Sequence, residues 1–112
     1  MLNINEHLLT VLIEECAEIQ KRATKALRFG IDDHDPTFKD SKTERERLDD
    51  ELHDLFAVIE MLADRGALMR GSRPSIPSLS SVVLDREKIR AKKDKVSRFF
   101  EYARERGCLE ID

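Results

Sequence analysis

Apolar residues recur at three- and four-residue steps in three stretches of the chain, and this period predicts three amphipathic helices. The first is predicted from residue 5 to about residue 29, with Asn5 as a modest N-cap and Gly30 after the last turn. Its apolar positions are Leu8, Leu9, Leu12, Cys16, Ile19, Ala23, Ala26 and Leu27.

The second predicted helix begins after Thr43, which forms a capping-box pattern with Glu46, and ends near Gly66. Its apolar positions also follow the helical period. They are Leu48, Leu52, Leu55, Phe56, Ile59, Leu62 and Ala63.

The third predicted helix runs from an Asp85 cap to about Arg106, with Gly107 as its stop. One basic residue, Lys92, falls within its apolar stripe, and Lys88 and Lys95 border that stripe. The stripe consists of Ile89, Val96, Phe99, Phe100 and Ala103.

Breaks in the period separate these helices. Residues 30–42 carry Gly, Pro and several Asp, which is typical of a loop, and residues 66–84 form a flexible connector rich in Gly, Pro and Ser, with a short helical turn expected near Leu68. We therefore predict a single all-α domain over residues 1–112, a bundle built from an antiparallel helix pair plus a C-terminal helix. Three helices do not easily cover two long apolar faces, so we expect oligomerisation to complete the bundle.

Composition narrows the class of protein. Hydrophobic residues make up 40% and charged residues 38% of the chain, a profile that favours a helical domain. A net charge of −3 argues against a nucleic-acid partner.

We expect no membrane span and no signal peptide. Cys16 and Cys108 are expected to be free thiols in a reducing cytoplasm, with Cys16 as a small core residue.

Charge is unevenly distributed along the chain. Residues 32–64 hold twelve acids and four bases, whereas residues 65–112 hold seven acids and twelve bases. This asymmetry indicates either solvated helix faces or an acidic metal-binding layer opposite a basic phosphate-binding helix.

Two pairs of carboxylates stand three residues apart on successive helices. Glu15 and Glu18 form the first pair, and Glu51 and Asp54 form the second. Residues three apart are neighbours on a helix surface, and both pairs border apolar stripes. Antiparallel packing lets the four carboxylates converge, and such a group repels itself unless a cation intervenes.

Mg²⁺ fits this donor set, since it takes oxygen ligands and often bridges carboxylates to substrate phosphates. Mn²⁺ is a plausible substitute. A di-iron site is disfavoured because none of the three histidines stands three residues after a Glu. Asp32, Asp33 and Asp35 lack the glycine and closing glutamate of a calcium loop.

These motifs resemble a known family. The segment 14–18 (Glu-Glu-Cys-Ala-Glu), followed by 51–54 (Glu-Leu-His-Asp), is similar to the ExxE…ExxD signature of the MazG-like all-α nucleoside triphosphate pyrophosphohydrolases. The flanking segments 20–30 and 55–59 and the basic tail 92–100 are similar too. The resemblance covers residues 5–65 well, and the short form looks like the small phage and bacterial members.

The resemblance implies a reaction and roles for residues. Such enzymes hydrolyse a nucleoside triphosphate between the α- and β-phosphates, giving the monophosphate and pyrophosphate. Glu15, Glu18, Glu51 and Asp54 would bind Mg²⁺, and Glu14 would orient or deprotonate the attacking water alongside Glu18. Relatives commonly form homodimers or homotetramers in which a neighbouring subunit finishes the site.

Basic residues supply the expected substrate contacts. Lys21 and Lys25 follow Glu14 and Glu18 on one row of the first helix, where salt bridges to those glutamates are an equally good interpretation. Lys92 and Lys95 are the choices on the third helix. Side chains expected to neutralise a polyphosphate are thus Lys21, Lys25, Lys92 and Lys95.

Alternatives stay open. A dUTP-, dCTP- or phosphoribosyl-ATP-specific pyrophosphohydrolase would use a similar fold, and a non-enzymatic helical interaction protein would use its acids only for solubility. His53 is expected to be a surface or packed histidine, with contact to a base or ribose as the alternative interpretation. Phe29, Phe38 and Phe56 are candidates to stack on a base, with core packing the better interpretation for Phe56.

Overall fold

Three helices make up most of the part of the chain that the structure describes. The computed structural model describes residues 1–34, 36, 42–69 and 85–110. Its helices are α1 (Ile4–Phe29), α2 (Glu44–Asp64) and α3 (Arg86–Glu105). These bounds agree with the predicted helices to within one or two residues. Most of the predicted connector, residues 70–84, lies outside the described residues.

A pair of very short strands, which the helical period did not predict, joins the two ends of the chain. β1 (Leu2–Asn3) pairs in parallel with β2 (Leu109–Glu110), and Leu2 is opposite Leu109. Leu109 is buried in the core, so this pair holds the segment after α3 against the start of α1. The protein is therefore mostly helical with a two-stranded sheet, rather than purely helical.

Side-chain caps define the helix starts. The expected Asn5 cap is wrong, because α1 begins one residue before it and Asn3 accepts a hydrogen bond from the Glu6 amide at 2.8 Å. Thr43 and Glu46 form the predicted capping box at the start of α2. Asp85 caps α3 by accepting from two backbone amides, as predicted. Each cap satisfies amides that would otherwise lack a partner.

Helices α1 and α2 pack antiparallel, as three contacts along their length show. Arg22, near the end of α1, pairs with Glu44 at the start of α2. Glu15 contacts Glu51 in the middle. At the far end, the Arg65 guanidinium donates to the Asn5 side chain at 2.7 Å. The predicted antiparallel helix pair is confirmed.

Helix α3 runs in the same general direction as α2 and opposite to α1. Lys88 contacts Asp50 and Lys92 contacts Asp54, so the numbering rises together on both helices. On the α1 side, the His7 ring meets the Phe100 ring edge-on at 5.6 Å. Within the described part of the predicted connector, Leu68 lies in a bend rather than in the expected helical turn.

The core lies where all three helices and the strand pair meet. Buried side chains there gain on the order of 2 kcal/mol each from removal of apolar surface from water. They are Ile4, Leu8, Val58, Leu62, Val96 and Leu109.

A second apolar face of α1 points away from this core. Ile13 is 69% exposed, Leu27 is 88% exposed, and Leu9 and Cys16 are exposed as well. The prediction that Cys16 is a core residue is therefore wrong, and the same holds for Leu27. Helix α1 has two apolar faces, and among the residues that the structure describes only the face that carries Leu8 is buried.

Within the described residues, none of the helices contains a stretch long and apolar enough to span a lipid bilayer.

Candidate metal and phosphate site

Three of the four predicted metal ligands converge between α1 and α2. Carboxylate oxygens of Glu15, Glu51 and Asp54 lie within 4.8 Å of one another. Glu15 projects from α1, and the other two are one helical turn apart on α2. The antiparallel packing and the three-residue spacing together produce this acidic cluster, which we define as Glu15, Glu51 and Asp54.

Glu18 and Glu14 flank the acidic cluster without joining it. Glu18 lies about one turn along α1 from Glu15 and is half-buried, and its charge helps to raise the pKa of Glu51. Glu14 is exposed and lines a neighbouring groove. Of the predicted site residues, Glu18 is thus close enough to influence the cluster through its charge, whereas Glu14 lies at the edge of the cluster.

The pKa values of two carboxyl groups in the acidic cluster, Glu51 and Asp54, are raised above their ordinary values. Burial, the charges of Asp54, Glu15 and Glu18, and a hydrogen bond with Glu15 raise the pKa of Glu51 to about 7. Burial also raises the pKa of Asp54, although the Lys92 and Lys95 ammonium groups oppose that increase. A divalent cation among these oxygens would relieve the repulsion, so the donor set fits a hard cation such as Mg²⁺.

Lys92 partly neutralises the acidic cluster. Its ammonium group donates to the Glu15 carboxylate at 2.8 Å and stands 3.7 Å from Asp54. Burial lowers the pKa of Lys92, but the hydrogen bond with Glu15 and the charges of Asp54, Glu15 and Glu51 outweigh it and raise the pKa. The predicted place of Lys92 inside the apolar stripe of α3 is confirmed, and its charge is directed at the carboxylates.

Two grooves open beside the acidic cluster, and they share Lys92 and Lys95. The α1–α3 groove has a volume of about 380 Å³ and includes Glu14 and Glu15. The α2–α3 groove has a volume of about 350 Å³. Its lining is Lys42, Asp50, His53, Asp54, Lys88, Ala91, Lys92 and Lys95.

Lys42 and Lys88 are additional cations that the sequence reasoning did not select. Both donate to Asp50, at 2.6 and 2.9 Å respectively. Burial raises the pKa of Asp50, but these two lysines outweigh that effect and lower it. The spacing 88, 92 and 95 places three lysines on one face of α3, and that signal was available in the sequence.

Lys21 and Lys25 are less well placed than Lys92 and Lys95. They lie roughly 9 and 15 Å beyond Glu15 along α1, and neither lines the two grooves. Their predicted role in phosphate binding stays a prediction.

His53 has a structural role at the edge of the α2–α3 groove. It is buried, its Nδ1 donates to the Asp49 carbonyl at 2.7 Å, and its Nε2 accepts from the Asp85 amide at 2.9 Å. These contacts define the neutral tautomer that carries the proton on Nδ1. His53 therefore ties α2 to the start of α3, which confirms the interpretation of a packed histidine.

Two of the three phenylalanines named as base-stacking candidates, Phe29 and Phe56, line neither groove. Phe29 is 60% exposed at the end of α1, and Phe56 is half-buried. Phe38 lies outside the described residues. Phe99, expected in the apolar stripe of α3, is instead 50% exposed and lines the α1–α3 groove.

Comparison of the chain with protein-family models, with curated proteins and with solved structures finds no match in any of the three.

Proposed function

We propose that this protein is a Mg²⁺-dependent nucleoside triphosphate pyrophosphohydrolase, which cleaves the bond between the α- and β-phosphates to give a nucleoside monophosphate and pyrophosphate. The observation that carries the proposal is the convergence of Glu15, Glu51 and Asp54 within 4.8 Å. These residues come from two motifs separated in sequence. The resemblance of those motifs to the MazG-like family supports the same reaction.

The lysines around the acidic cluster favour a polyanionic substrate. Lys92 and Lys95 line both grooves, and Lys88 and Lys42 line the α2–α3 groove. A non-enzymatic role would need the acids only for solubility. However, Glu15 is almost fully buried next to two other carboxylates, which is a costly arrangement for a group that only solubilises the protein.

Each residue has a task in the proposed reaction. Glu15, Glu51 and Asp54, joined by Glu18, would hold Mg²⁺, and Mn²⁺ would suit the same oxygens. When bound, the metal ion supplies positive charge for phosphate oxygens and lowers the pKa of a coordinated water. Lys92 and Lys95 neutralise the remaining negative charge of the polyphosphate.

Glu14 is the residue we assign to orient or deprotonate the attacking water, with Glu18 as the alternative. It lies in the α1–α3 groove beside Glu15 and is exposed, so a water molecule can reach its carboxylate. A carboxylate acts as a general base only within hydrogen-bonding reach of that water.

The testing experiment is incubation of the purified protein with Mg²⁺ and a panel of nucleoside and deoxynucleoside triphosphates, including dUTP, dCTP and phosphoribosyl-ATP. Pyrophosphate and orthophosphate are measured separately. Pyrophosphate release that disappears on chelation of Mg²⁺ supports the proposal, and the panel distinguishes a general enzyme from a base-specific one. Release of orthophosphate alone would rule out cleavage at the α–β bond.

We also propose that a second copy of the chain covers the exposed face of α1, as a homodimer or as half of a homotetramer. Successive residues of this face are 4, 3, 4, 3 and 4 positions apart, which is the heptad spacing found where two helices pack as a coiled coil. Five of its six positions are apolar. They are Leu9, Ile13, Cys16, Gln20, Ala23 and Leu27.

Replacing Ile13 by Lys is expected to convert the dimer to a monomer, because it places a charge in the middle of the exposed face of α1. Sedimentation velocity measures the change. Ser97→Lys, which adds the same charge at an exposed position of α3 outside both grooves, is the control that should stay dimeric. A monomeric wild-type protein, or a dimeric Ile13→Lys variant, would contradict the proposed pairing.

A further inference from the structure

The α1–α3 groove has two chemically different ends. One end carries the charged residues Glu14, Glu15, Lys92 and Lys95. The other end is aromatic and includes Phe99 and Tyr102 of α3. Its volume of about 380 Å³ lies within the range of pockets that bind small organic molecules.

The spacing of the two ends matches a bipartite ligand. Lys95 and Tyr102 are seven residues apart on α3, which corresponds to roughly 10 Å along the helix. A nucleotide likewise joins a polyanionic phosphate chain to an aromatic base through a sugar. Phosphates at the charged end, next to the acidic cluster, would bring the base to the aromatic end.

We propose that the aromatic end of the α1–α3 groove binds the base and sugar of the nucleoside triphosphate, with the base stacked on Phe99. The inference rests on the proposed function, because it takes the phosphates to lie at the charged end. The inference adds that the protein selects nucleotides over inorganic polyphosphates. We assign this selectivity to side chains of α3.

The two rings leave surface free for stacking. Phe99 and Tyr102 are 50% and 53% exposed, and their planes stand at 88° with centroids 6.4 Å apart, so they do not stack on each other. The Arg106 guanidinium covers one face of Tyr102 at 4.8 Å. The α1–α3 groove and the exposed apolar face lie on different sides of α1, so pairing through Ile13 leaves the groove open.

Tyr102 reports directly on this groove, because the chain has one tyrosine and no tryptophan. We expect a hydrolysis-resistant α,β-methylene nucleoside triphosphate, added with Mg²⁺, to quench the Tyr102 emission saturably. Inorganic tripolyphosphate should bind without this quenching, since it has no base. Free tyrosine amide in the same solutions corrects for light absorbed by the nucleotide.

A variant separates base binding from phosphate binding. Phe99→Ser should weaken the affinity for the analogue by about five- to a hundredfold, the effect expected for loss of one stacking partner. Its affinity for tripolyphosphate, measured by calorimetry, should not change. Phe29→Ser is the matched control, because Phe29 is a similarly exposed phenylalanine roughly 20 Å along α1 from Glu15.

The outcomes distinguish the two proposals. Nucleotide hydrolysis in Mg²⁺ without quenching of Tyr102, or with unchanged affinity of Phe99→Ser, would overturn the base-binding assignment and leave the proposed function standing. Binding of neither the analogue nor tripolyphosphate would overturn both. A change in the sedimentation of Phe99→Ser would show that another protein copy, rather than a base, covers the aromatic end.

Discussion

Replacing Asp54 by Asn is expected to reduce Mg²⁺-dependent triphosphate hydrolysis by at least about a hundredfold. The change removes one negative oxygen from the acidic cluster while leaving the side-chain shape almost the same. Loss of one group that stabilises charge in a reaction of this kind commonly costs a factor of 10² to 10³ in rate. Steady-state rates of pyrophosphate release measure the effect.

The fold of this variant should not suffer. Burial raises the pKa of Asp54, which means that its charge is held at a cost in the metal-free protein. A neutral amide removes that cost, and Lys92 keeps its closer partner Glu15. We therefore expect the metal-free Asp54→Asn variant to melt at the same temperature as the wild type or higher.

Asp94→Asn is the matched control, since Asp94 is exposed on α3 and lines neither groove. It should keep the wild-type rate. Equal rates for Asp54→Asn and Asp94→Asn would remove Asp54 from the site. A similar loss of rate is expected for Glu18→Gln if Glu18 shares the cation.

The second large effect that we expect is a loss of Mg²⁺ affinity as pH falls below 7. The pKa of Glu51 is raised to about 7, so this carboxyl is about half protonated at pH 7 and must lose its proton to bind a cation. The affinity for Mg²⁺ should fall by up to about tenfold for each pH unit below 7. At pH 7, binding should release about half a proton from Glu51.

The sign for the metal-free protein follows from the same shift. The Glu51 carboxyl has a pKa of about 7 in the folded chain and an ordinary value of 4.5, so between these two pH values the folded state holds more protons than the unfolded state. The free energy of unfolding therefore falls as pH rises from 4.5 to 7. Glu60 affects the free energy of unfolding at lower pH. Hydrogen bonds with Arg86 and Lys93 lower its pKa from 4.5 to about 2, so the stability that it contributes is lost as pH falls through this range.

Calorimetry in two buffers with different heats of ionisation measures the released protons. Glu51→Gln should bind Mg²⁺ more weakly and lose most of the proton release at pH 7. Glu105→Gln, a change at the exposed end of α3, should behave like the wild type. A wild-type affinity that does not change between pH 5.5 and 8 would contradict the assignment of Glu51 as a ligand.

Local signals in the sequence predicted much of the architecture. The helical period and the Thr43 and Asp85 caps depend on neighbouring residues alone, so the three helices could be placed closely. The meeting of Glu15 with Glu51 and Asp54 required one further assumption, antiparallel packing. The two-residue strands at Leu2 and Leu109 were missed because their pairing depends on the distance between the chain ends, which no local pattern encodes.

The errors came from deciding which face of a helix is buried. Helix α1 has apolar residues on two sides, and the period alone could not tell that Leu8 faces the core while Cys16 and Leu27 face solvent. Phe99 shows the same difficulty on α3. Its position in the apolar stripe predicted a buried side chain, whereas Phe99 is exposed and lines the α1–α3 groove. Periodicity identifies an apolar side chain but does not identify its partner.

The products formed from a single nucleoside triphosphate test the central claim most directly. Phosphorus NMR of a reaction with wild-type protein and Mg²⁺ should show nucleoside monophosphate and pyrophosphate appearing in equal amounts, and neither should form with Asp54→Asn. Formation of nucleoside diphosphate and orthophosphate, or no turnover of any nucleotide with Mg²⁺ or Mn²⁺, would contradict the proposed pyrophosphohydrolase activity.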